Sequence, residues 1–166
     1  MAGVKDTDIG YKSLMQRLTE LSKKEVAVGV PASTTAKDGV SLALIAAVHE
    51  FGTIINMPGR GEGEGYSITI PQRSFLRSTL QDNQELIKKL ADDLAKQVIK
   101  NKLSPTDALN RLGHAVVGLV QKKIQTGNFV PNAPSTIRKK KSSRPLIDTG
   151  HLRQSITHKV RPKGQK

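Results

Sequence analysis

The stretch Val26–Gly52, VAVGVPASTTAKDGVSLALIAAVHEFG, decides the fold class because its hydrophobic period changes partway along. Its first part, Val26–Val30, alternates valine with small residues, a pattern that predicts a strand ended by proline. Its second part, after Ser41, has apolar residues at helical spacing and ends at Gly52, which predicts a helix with a serine N-cap and a C-terminal glycine. A strand followed closely by a helix indicates a chain that mixes both types of element.

Two further segments alternate in the same way and predict the remaining strands, at Tyr66–Ile70 and at Ser155–Arg161. Between them, Asp82 with Glu85 predicts the start of a long helix, and Ser104 followed by proline predicts the start of another. The expected fold is therefore α+β, with a small antiparallel sheet of about three strands and a long antiparallel helix pair packed on one face. All 166 residues are expected to form one domain.

Two segments are predicted to be mobile loops, at about residues 53–65 and 128–147. The first contains the run GRGEGEG at residues 59–65, which has too much glycine to hold one shape. The second combines three prolines with a run of basic residues. Segments of this composition commonly become ordered when a partner binds, so both loops are expected to order in an assembly.

The composition excludes several classes of protein. Cysteine is absent from the sequence, which excludes disulfides, cysteine-ligated zinc and thiol catalysis. No apolar run approaches the roughly 20 residues that span a bilayer, so no membrane partner is expected. The first eight residues are polar and mixed in charge, unlike a secretory signal peptide.

The positive charge is concentrated in the last third of the chain. The formal net charge is +13, yet residues 1–107 carry 14 Lys and Arg against 13 Asp and Glu. Residues 108–166 carry 13 Lys and Arg against Asp148 alone. Such an asymmetry predicts contact with a polyanion or an acidic protein surface, and a solvated basic tail is the alternative.

No constellation of residues predicts an enzyme, a metal centre or a cofactor. The pair His49-Glu50 lacks the second histidine that a zinc-peptidase helix needs one turn later, because a threonine stands there. The other histidines, His114, His151 and His158, are scattered and lack clustered carboxylates. The glycine-rich run contains two glutamates, which would repel a phosphate group.

The candidate contact residues form a basic segment, which consists of Arg138, Lys139, Lys140, Lys141 and Arg144. Side chains of this kind neutralise DNA phosphates without reading base sequence, in a manner that depends on salt. Aromatic residues are nearly absent from the region, so stacking on single-stranded bases is poorly supported. The basic segment therefore predicts contact with a polyanion or an acidic surface, and no more specific ligand.

Three motifs resemble a known group of proteins. They are Ala47–Thr53 (AVHEFGT), Ile70–Leu76 (IPQRSFL) and Pro145–Gly150 (PLIDTG). In these motifs and in their order, the chain resembles the neck and tail-completion proteins of long-tailed bacteriophages, often described as minor tail or virion morphogenesis proteins. The resemblance extends from about residue 14 to residue 160. A proline usually follows the arginine of the middle motif, whereas Ser74 stands here, a residue that also suits a helix start.

The resemblance implies a structural protein of the virion, assembled in the host cytoplasm. It implies a ring at the head–tail junction, with a hexamer favoured and a dodecamer as the alternative. The ring would complete the tail or neck and join neighbouring phage neck and tail proteins, with possible contact to genomic DNA in the channel. A non-specific, nucleoid-type DNA-binding protein is the alternative function, and the motifs separate the two because basic charge alone does not require them.

The motif residues have structural interpretations. Gly52 is expected to let its helix end in a left-handed turn, and Phe75 to anchor the long helix on the sheet. The final helix is expected to be capped by Asp148 and Thr149, with Gly150 permitting close backbone approach. The full set of expected structural residues is Glu50, Phe51, Gly52, Arg73, Phe75, Asp148, Thr149 and Gly150.

Overall fold

The computed structural model describes residues 10–36, 39–59, 64–140 and 143–165. Within these ranges the chain contains seven helices and four strands, which confirms the α+β class. In chain order the elements are α1 (Tyr11–Ser22), β1 (Lys24–Gly29), α2 (Leu42–Phe51), β2 (Thr53–Met57), β3 (Tyr66–Ile70), α3 (Arg77–Asp82), α4 (Gln84–Ile99), α5 (Pro105–Thr126), α6 (Pro134–Lys140), α7 (His151–Ser155) and β4 (Thr157–Pro162).

Two helices begin at the residues that the sequence indicates. The Ser41 side chain accepts a hydrogen bond from the backbone N–H of Leu44 at 3.4 Å and so caps α2. The Ser104 side chain accepts one from the backbone N–H of Asp107 at 3.1 Å, and a proline occupies the first turn of α5. Both caps satisfy backbone donors that the first helical turn leaves without partners.

Two other predicted helix starts are wrong. Asp82 ends α3, and α4 begins after Asn83, where no described side chain caps the helix. Asp148 and Thr149 are exposed and do not cap α7, whose N-cap is Gly150 with φ of 80°. The backbone turn at the glycine, which any other residue would adopt only with strain, sets the start of α7 in place of a side-chain cap.

The described strands form two antiparallel pairs, so the prediction of one three-stranded sheet is wrong. Strands β1 and β4 pair with Lys24 opposite Pro162, and β2 and β3 pair with Thr53 opposite Ile70. The segment Thr53–Met57 was expected to be a mobile loop. It pairs instead with β3, the next strand along the chain, because closing a short connection costs less conformational entropy than closing a long one.

The two predicted loops are therefore only partly irregular. Residues 54 and 55 are isoleucines, which favour strands, and residues 60–63 lie outside the described part of the chain. The second segment, residues 128–147, contains the seven-residue helix α6, so a fully irregular linker is also wrong there. Residues 141 and 142 lie outside the described residues.

Helix α5 is the centre of the structure. It contacts both strands of the β1–β4 pair and also contacts α4 and α1. The main core cluster consists of Ala46, Phe75, Val116, Val120, Ile124, Leu146, Leu152 and Ile156, and a second cluster joins Leu94 and Val98 of α4 to Ala108 of α5. The antiparallel arrangement of α4 and α5 as a pair on one face of a sheet stays a prediction. None of the described helices has the length and apolarity to span a membrane.

Gly113 lets α5 approach β4 closely. A Cβ atom at Gly113 would lie 2.3 Å from Cδ2 of His158, well inside van der Waals contact. The His158 ring also contacts the His114 ring edge-to-face, with centroids 4.4 Å apart, and its Nε2 lies 3.3 Å from Oδ1 of Asn110. Burial, together with the charge of His114, lowers the pKa of His158.

Candidate functional site: a buried junction that carries an exposed hairpin

Glu50, near the end of α2, is a buried carboxylate with a full set of donors. Only 3% of its surface is exposed, because it follows Leu42 and Ala46 on the buried face of the helix. The carboxylate accepts a hydrogen bond from the Ser74 hydroxyl at 2.6 Å. It also accepts bonds from the backbone N–H groups of Phe75, Leu76 and Arg77 at 2.8, 2.9 and 3.0 Å, and from Nε of Arg77 at 3.1 Å.

These contacts make Glu50 the cap of α3, supplied from a distant part of the chain. The N–H groups at the start of a helix lack intrahelical partners, and the helix dipole favours negative charge there. Burial raises the pKa of Glu50, but the hydrogen bonds from Ser74 and from the three backbone groups outweigh it and hold the pKa below 4.5. The carboxylate is therefore charged near neutral pH and fixes α2 to α3.

Arg73 joins a third segment to this junction. Its side chain is buried and donates from Nε to the carbonyl oxygen of Val130 at 2.8 Å and from Nη2 to that of Pro131 at 3.1 Å. Its backbone N–H donates to the carbonyl oxygen of His49 at 2.7 Å. Burial lowers the pKa of Arg73. The arginine thus ties the segment after α5 to the end of α2.

Gly52 makes the turn from α2 into β2. Its φ is 72° and its ψ is 165°, so the helix ends in a glycine with positive φ but not in the left-handed helical turn that the sequence predicted. A Cβ atom at this position would lie 2.9 Å from the backbone nitrogen of Gln72 and 3.1 Å from the carbonyl oxygen of Ile70. Both the backbone conformation and the close approach of the returning strand therefore require glycine.

The remaining motif residues lie against α2 and the core. Phe75 is fully buried and belongs to the main core cluster, against which Ile87 of α4 and Val28 of β1 also pack, and its role in anchoring the long helix stays a prediction. Asp148, Thr149 and Gly150 line a pocket of about 150 Å³ that Leu42 of α2 also lines. The prediction that Gly150 allows close backbone approach is wrong.

A Cβ atom at Gly150 would meet only the side chain of Gln154, at 3.8 Å. Positive φ is the reason for glycine at this position.

The β2–β3 hairpin leaves the junction with both faces exposed. The register places Ile55 opposite Ile68 and Met57 opposite Tyr66, so these four side chains share one face. They are between 39% and 61% exposed. We call this surface the hairpin face. A sheet face with this apolar pattern is normally buried against another layer, whereas here the described residues leave it largely exposed, with Ile68 at the edge of a cleft that Pro131 and Thr136 also line.

The opposite side of the hairpin is more polar. The register places Ile54 opposite Thr69 and Asn56 opposite Ser67. The Ser67 hydroxyl donates a hydrogen bond to Oδ1 of Asn56 at 2.7 Å, across the two strands. The hairpin is therefore amphipathic, with the pattern of a strand pair built to be covered on one side.

The structure describes only part of the basic segment. Arg138, Lys139 and Lys140 belong to α6, whereas Lys141 lies outside the described residues. Arg144 is exposed, and its Nη1 donates to the carbonyl oxygen of Gln125 at 3.4 Å. The role of the segment in partner contact stays a prediction.

Sequence reasoning missed most partners of the junction. It named Glu50 and Arg73 but neither the backbone donors at the start of α3 nor the two carbonyl groups that Arg73 binds. A signal for Glu50 was present, since Glu50 lies two turns after Leu42 and one turn after Ala46 and so continues the apolar face of the helix. A buried glutamate must find donors, and a short helix start supplies them.

No protein-family model, curated protein sequence or solved structure matches this chain. Within the described residues, no group of three or more His, Asp or Glu side chains is placed to hold a metal ion.

Proposed function

We propose that this chain is a structural protein of a bacteriophage virion, which forms a ring at the head–tail junction and joins the tail or neck to head-side partners. The exposed apolar hairpin face is the observation that carries the proposal. A protomer that leaves such a face uncovered is suited to assembly, because covering the face removes apolar surface from water.

The junction supports a structural role. Its charged side chains, Glu50 and Arg73, bind backbone groups and a neighbouring hydroxyl at the base of the hairpin. Such contacts fix the base of the hairpin, so less of the chain has to become ordered when a partner binds. The resemblance of the three motifs to neck and tail-completion proteins supports the same function.

Electron microscopy tests the proposal. We expect the purified chain, alone or with virion components, to form rings, with a hexamer favoured over a dodecamer, and a labelled chain to appear at the neck of assembled particles. Coated DNA without rings or virion incorporation would instead support the nucleoid-type alternative. That alternative is favoured only by the net charge of +13.

The basic segment is expected to meet an acidic neighbouring protein rather than DNA. A dense ring of lysines facing the channel would hold DNA through many phosphate contacts and so impede its passage. We expect replacement of Lys139, Lys140 and Lys141 by alanine to slow or weaken joining to the partner, and to make joining less sensitive to salt.

The matched control for this triple variant replaces Lys88, Lys89 and Lys100, which removes the same charge from an exposed part of the chain. Joining rates measured over a series of salt concentrations should change only in the first variant. Unchanged joining together with loss of DNA retention in filled particles would show that the segment faces the channel.

A further inference from the structure

A second apolar surface lies next to the hairpin in the sequence. Helix α2 is apolar on nearly all sides, and its buried face is occupied by the core. On the other side, Leu44, Ala47 and Phe51 are exposed at spacings of three and four residues, so they form one stripe. Leu44 is 59% exposed and Phe51 is 63% exposed. We call this stripe the helix face.

Both surfaces carry little charge in a strongly basic protein, and the exception is Arg77 beside the helix face, whose side chain is 56% exposed. From Gly39 to Gly59 the only acidic residue is the buried Glu50, and no lysine or arginine is present. From residue 64 to residue 72 the only charged residue is Glu64. Arg77, which lies 4.7 Å above the Phe51 ring, is paired with Glu50.

The charge pattern identifies the occupant as a second copy of this chain. Each copy carries a formal net charge of +13, nearly all of it in the last third of the chain, so contact between copies through that third would bring like charges together. The hairpin face and the helix face carry little charge, so copies can meet through them without that repulsion. An acidic partner, in contrast, would be recognised through the basic residues of the last third of the chain.

The shapes of the two surfaces differ. The hairpin face is a flat, two-stranded surface, and an isolated pair of strands is only marginally stable in water without a further layer. The helix face is a ridge of side chains, and a helix packed on a sheet is one of the standard layer arrangements of proteins. A helix face packed on the hairpin face would therefore give the two strands the further layer that they need and would bury the exposed apolar side chains of the helix.

We propose that the hairpin face of one copy packs on the helix face of the next copy, in a head-to-tail contact. The inference rests on the proposed function and specifies how the ring is built. Contact between two different surfaces is heterologous, so every copy presents one free surface to a further copy, and repetition gives a closed ring or an open filament.

Two variants each remove one surface. Ile55→Asp with Ile68→Thr places one charge on the hairpin face without setting like charges opposite each other, and Leu44→Asp places charge on the helix face. All three positions are exposed, so the protomer should keep its thermal midpoint. Each variant should raise the dissociation constant for self-association about 100-fold, because a buried charge would lack a partner. Serine at the same positions should act in the same direction with smaller shifts.

Mixing the two variants gives the decisive result. Each variant alone should be monomeric, and an equimolar mixture should form a one-to-one heterodimer, because only one intact contact can form. Native mass spectrometry with one variant carrying a mass tag measures this. The control is Ile54→Asp on the polar side of the hairpin, which should leave assembly of the chain unchanged.

Three outcomes would overturn the inference. They are a mixture that stays monomeric, a wild-type chain that stays monomeric at high micromolar concentration, and assembly that Ile54→Asp disrupts as strongly as the hairpin-face variant. Rings at the neck that ignore all these substitutions would contradict the inference and leave the proposed function intact. A head-to-tail assembly that never enters virions would contradict the proposed function and leave the inference intact.

Discussion

At the scale of single residues, Glu50 connects two helices that the chain places apart. Its carboxylate accepts hydrogen bonds from the backbone of Phe75, Leu76 and Arg77, at the point where α3 begins. A glutamine would keep the shape of the side chain but would lose the charge and would turn an amide N–H toward these donors. The charge, more than the shape, is therefore the stabilising feature.

We expect Glu50→Gln to lower the free energy of unfolding by about 2–4 kcal/mol, because several charge-assisted hydrogen bonds are weakened in a buried site. Denaturant unfolding followed by circular dichroism measures the change. Glu85→Gln, at an exposed position in the first turn of α4, is the control and should change the free energy of unfolding by less than about 0.5 kcal/mol. Equal effects of the two substitutions would contradict the assigned role of Glu50.

Glu50 also makes the free energy of unfolding depend on pH, and the direction of its pKa shift gives the sign of that dependence. Since the pKa of Glu50 in the folded state lies below its ordinary value of 4.5, its charge stabilises the fold fully above about pH 4.5. The stabilisation is lost as the pH falls through the lowered pKa. The difference in stability between the wild-type chain and Glu50→Gln should therefore shrink between pH 4.5 and more acidic conditions, and a constant difference would contradict this account.

Gly113 offers a second test at the residue scale. Alanine normally stabilises a helix relative to glycine, but a Cβ atom at Gly113 would overlap the His158 ring. We expect Gly113→Ala to destabilise the protein by about 1–3 kcal/mol. Gly118→Ala on the same helix, where a Cβ atom meets no atom within 4 Å, should stabilise by about 0.4–1 kcal/mol.

The thermal midpoints of the two glycine variants should thus move in opposite directions. Adding His158→Ala to Gly113→Ala should recover part of the lost stability, because the ring that the new Cβ atom meets is removed. A midpoint for Gly113→Ala equal to or above that of the wild-type chain would show that α5 and β4 separate without cost.

At the scale of elements, the β2–β3 hairpin has the apolar pattern of a sheet that packs against a second layer, yet its apolar side chains are largely exposed. Its cross-strand pairs place apolar side chains together on one face. The β1–β4 pair, in contrast, lies against α5, which covers it. We therefore expect the β2–β3 pair to be less stable than the β1–β4 pair, which is of similar length.

Hydrogen exchange should reveal this difference. We expect the amides of β2 and β3 to exchange faster than those of β1 and β4 in the free protomer, because local opening of the hairpin exposes little additional apolar surface. In the assembled ring, the amides of β2 and β3 and of the predicted loop at residues 128–147 should become protected. Exchange in both segments that stays fast and unchanged on assembly would contradict their role in subunit contact.

At the scale of the whole molecule, the last strand completes the fold. Strand β4 pairs with β1, near the other end of the described chain, and Ile156, just before β4, belongs to the main core cluster. The last segment of the chain is therefore part of the core rather than a basic tail alone.

Removal of residues 154–166 should unfold the protein or leave it insoluble, since β1 would lose its partner and the core would lose Ile156. Removal of residues 164–166 alone is the control and should leave the circular dichroism spectrum and thermal midpoint unchanged. A well-folded, soluble monomer after the longer deletion would contradict the placement of this strand.

Local structure followed from local patterns. The change of period between Val26–Val30 and the helix after Ser41 predicted β1 and α2, and the serine caps at Ser41 and Ser104 were confirmed. The strand at Tyr66–Ile70 was also confirmed. These features depend on side chains within a few residues of one another, so a sequence read along the chain contains the information that fixes them.

The α+β class, most element positions and the glycine at the end of α2 could be predicted from residue patterns along the chain. The pairing of β3 with β2 rather than β1 could not, nor could the hydrogen bonds of Glu50 and Arg73 to backbone groups of distant segments. Strand partners and backbone acceptors have no side-chain signature, because every residue except proline carries the same N–H and every residue the same carbonyl group. Strand pairing and hydrogen bonds to distant backbone groups therefore depend on how the whole chain packs.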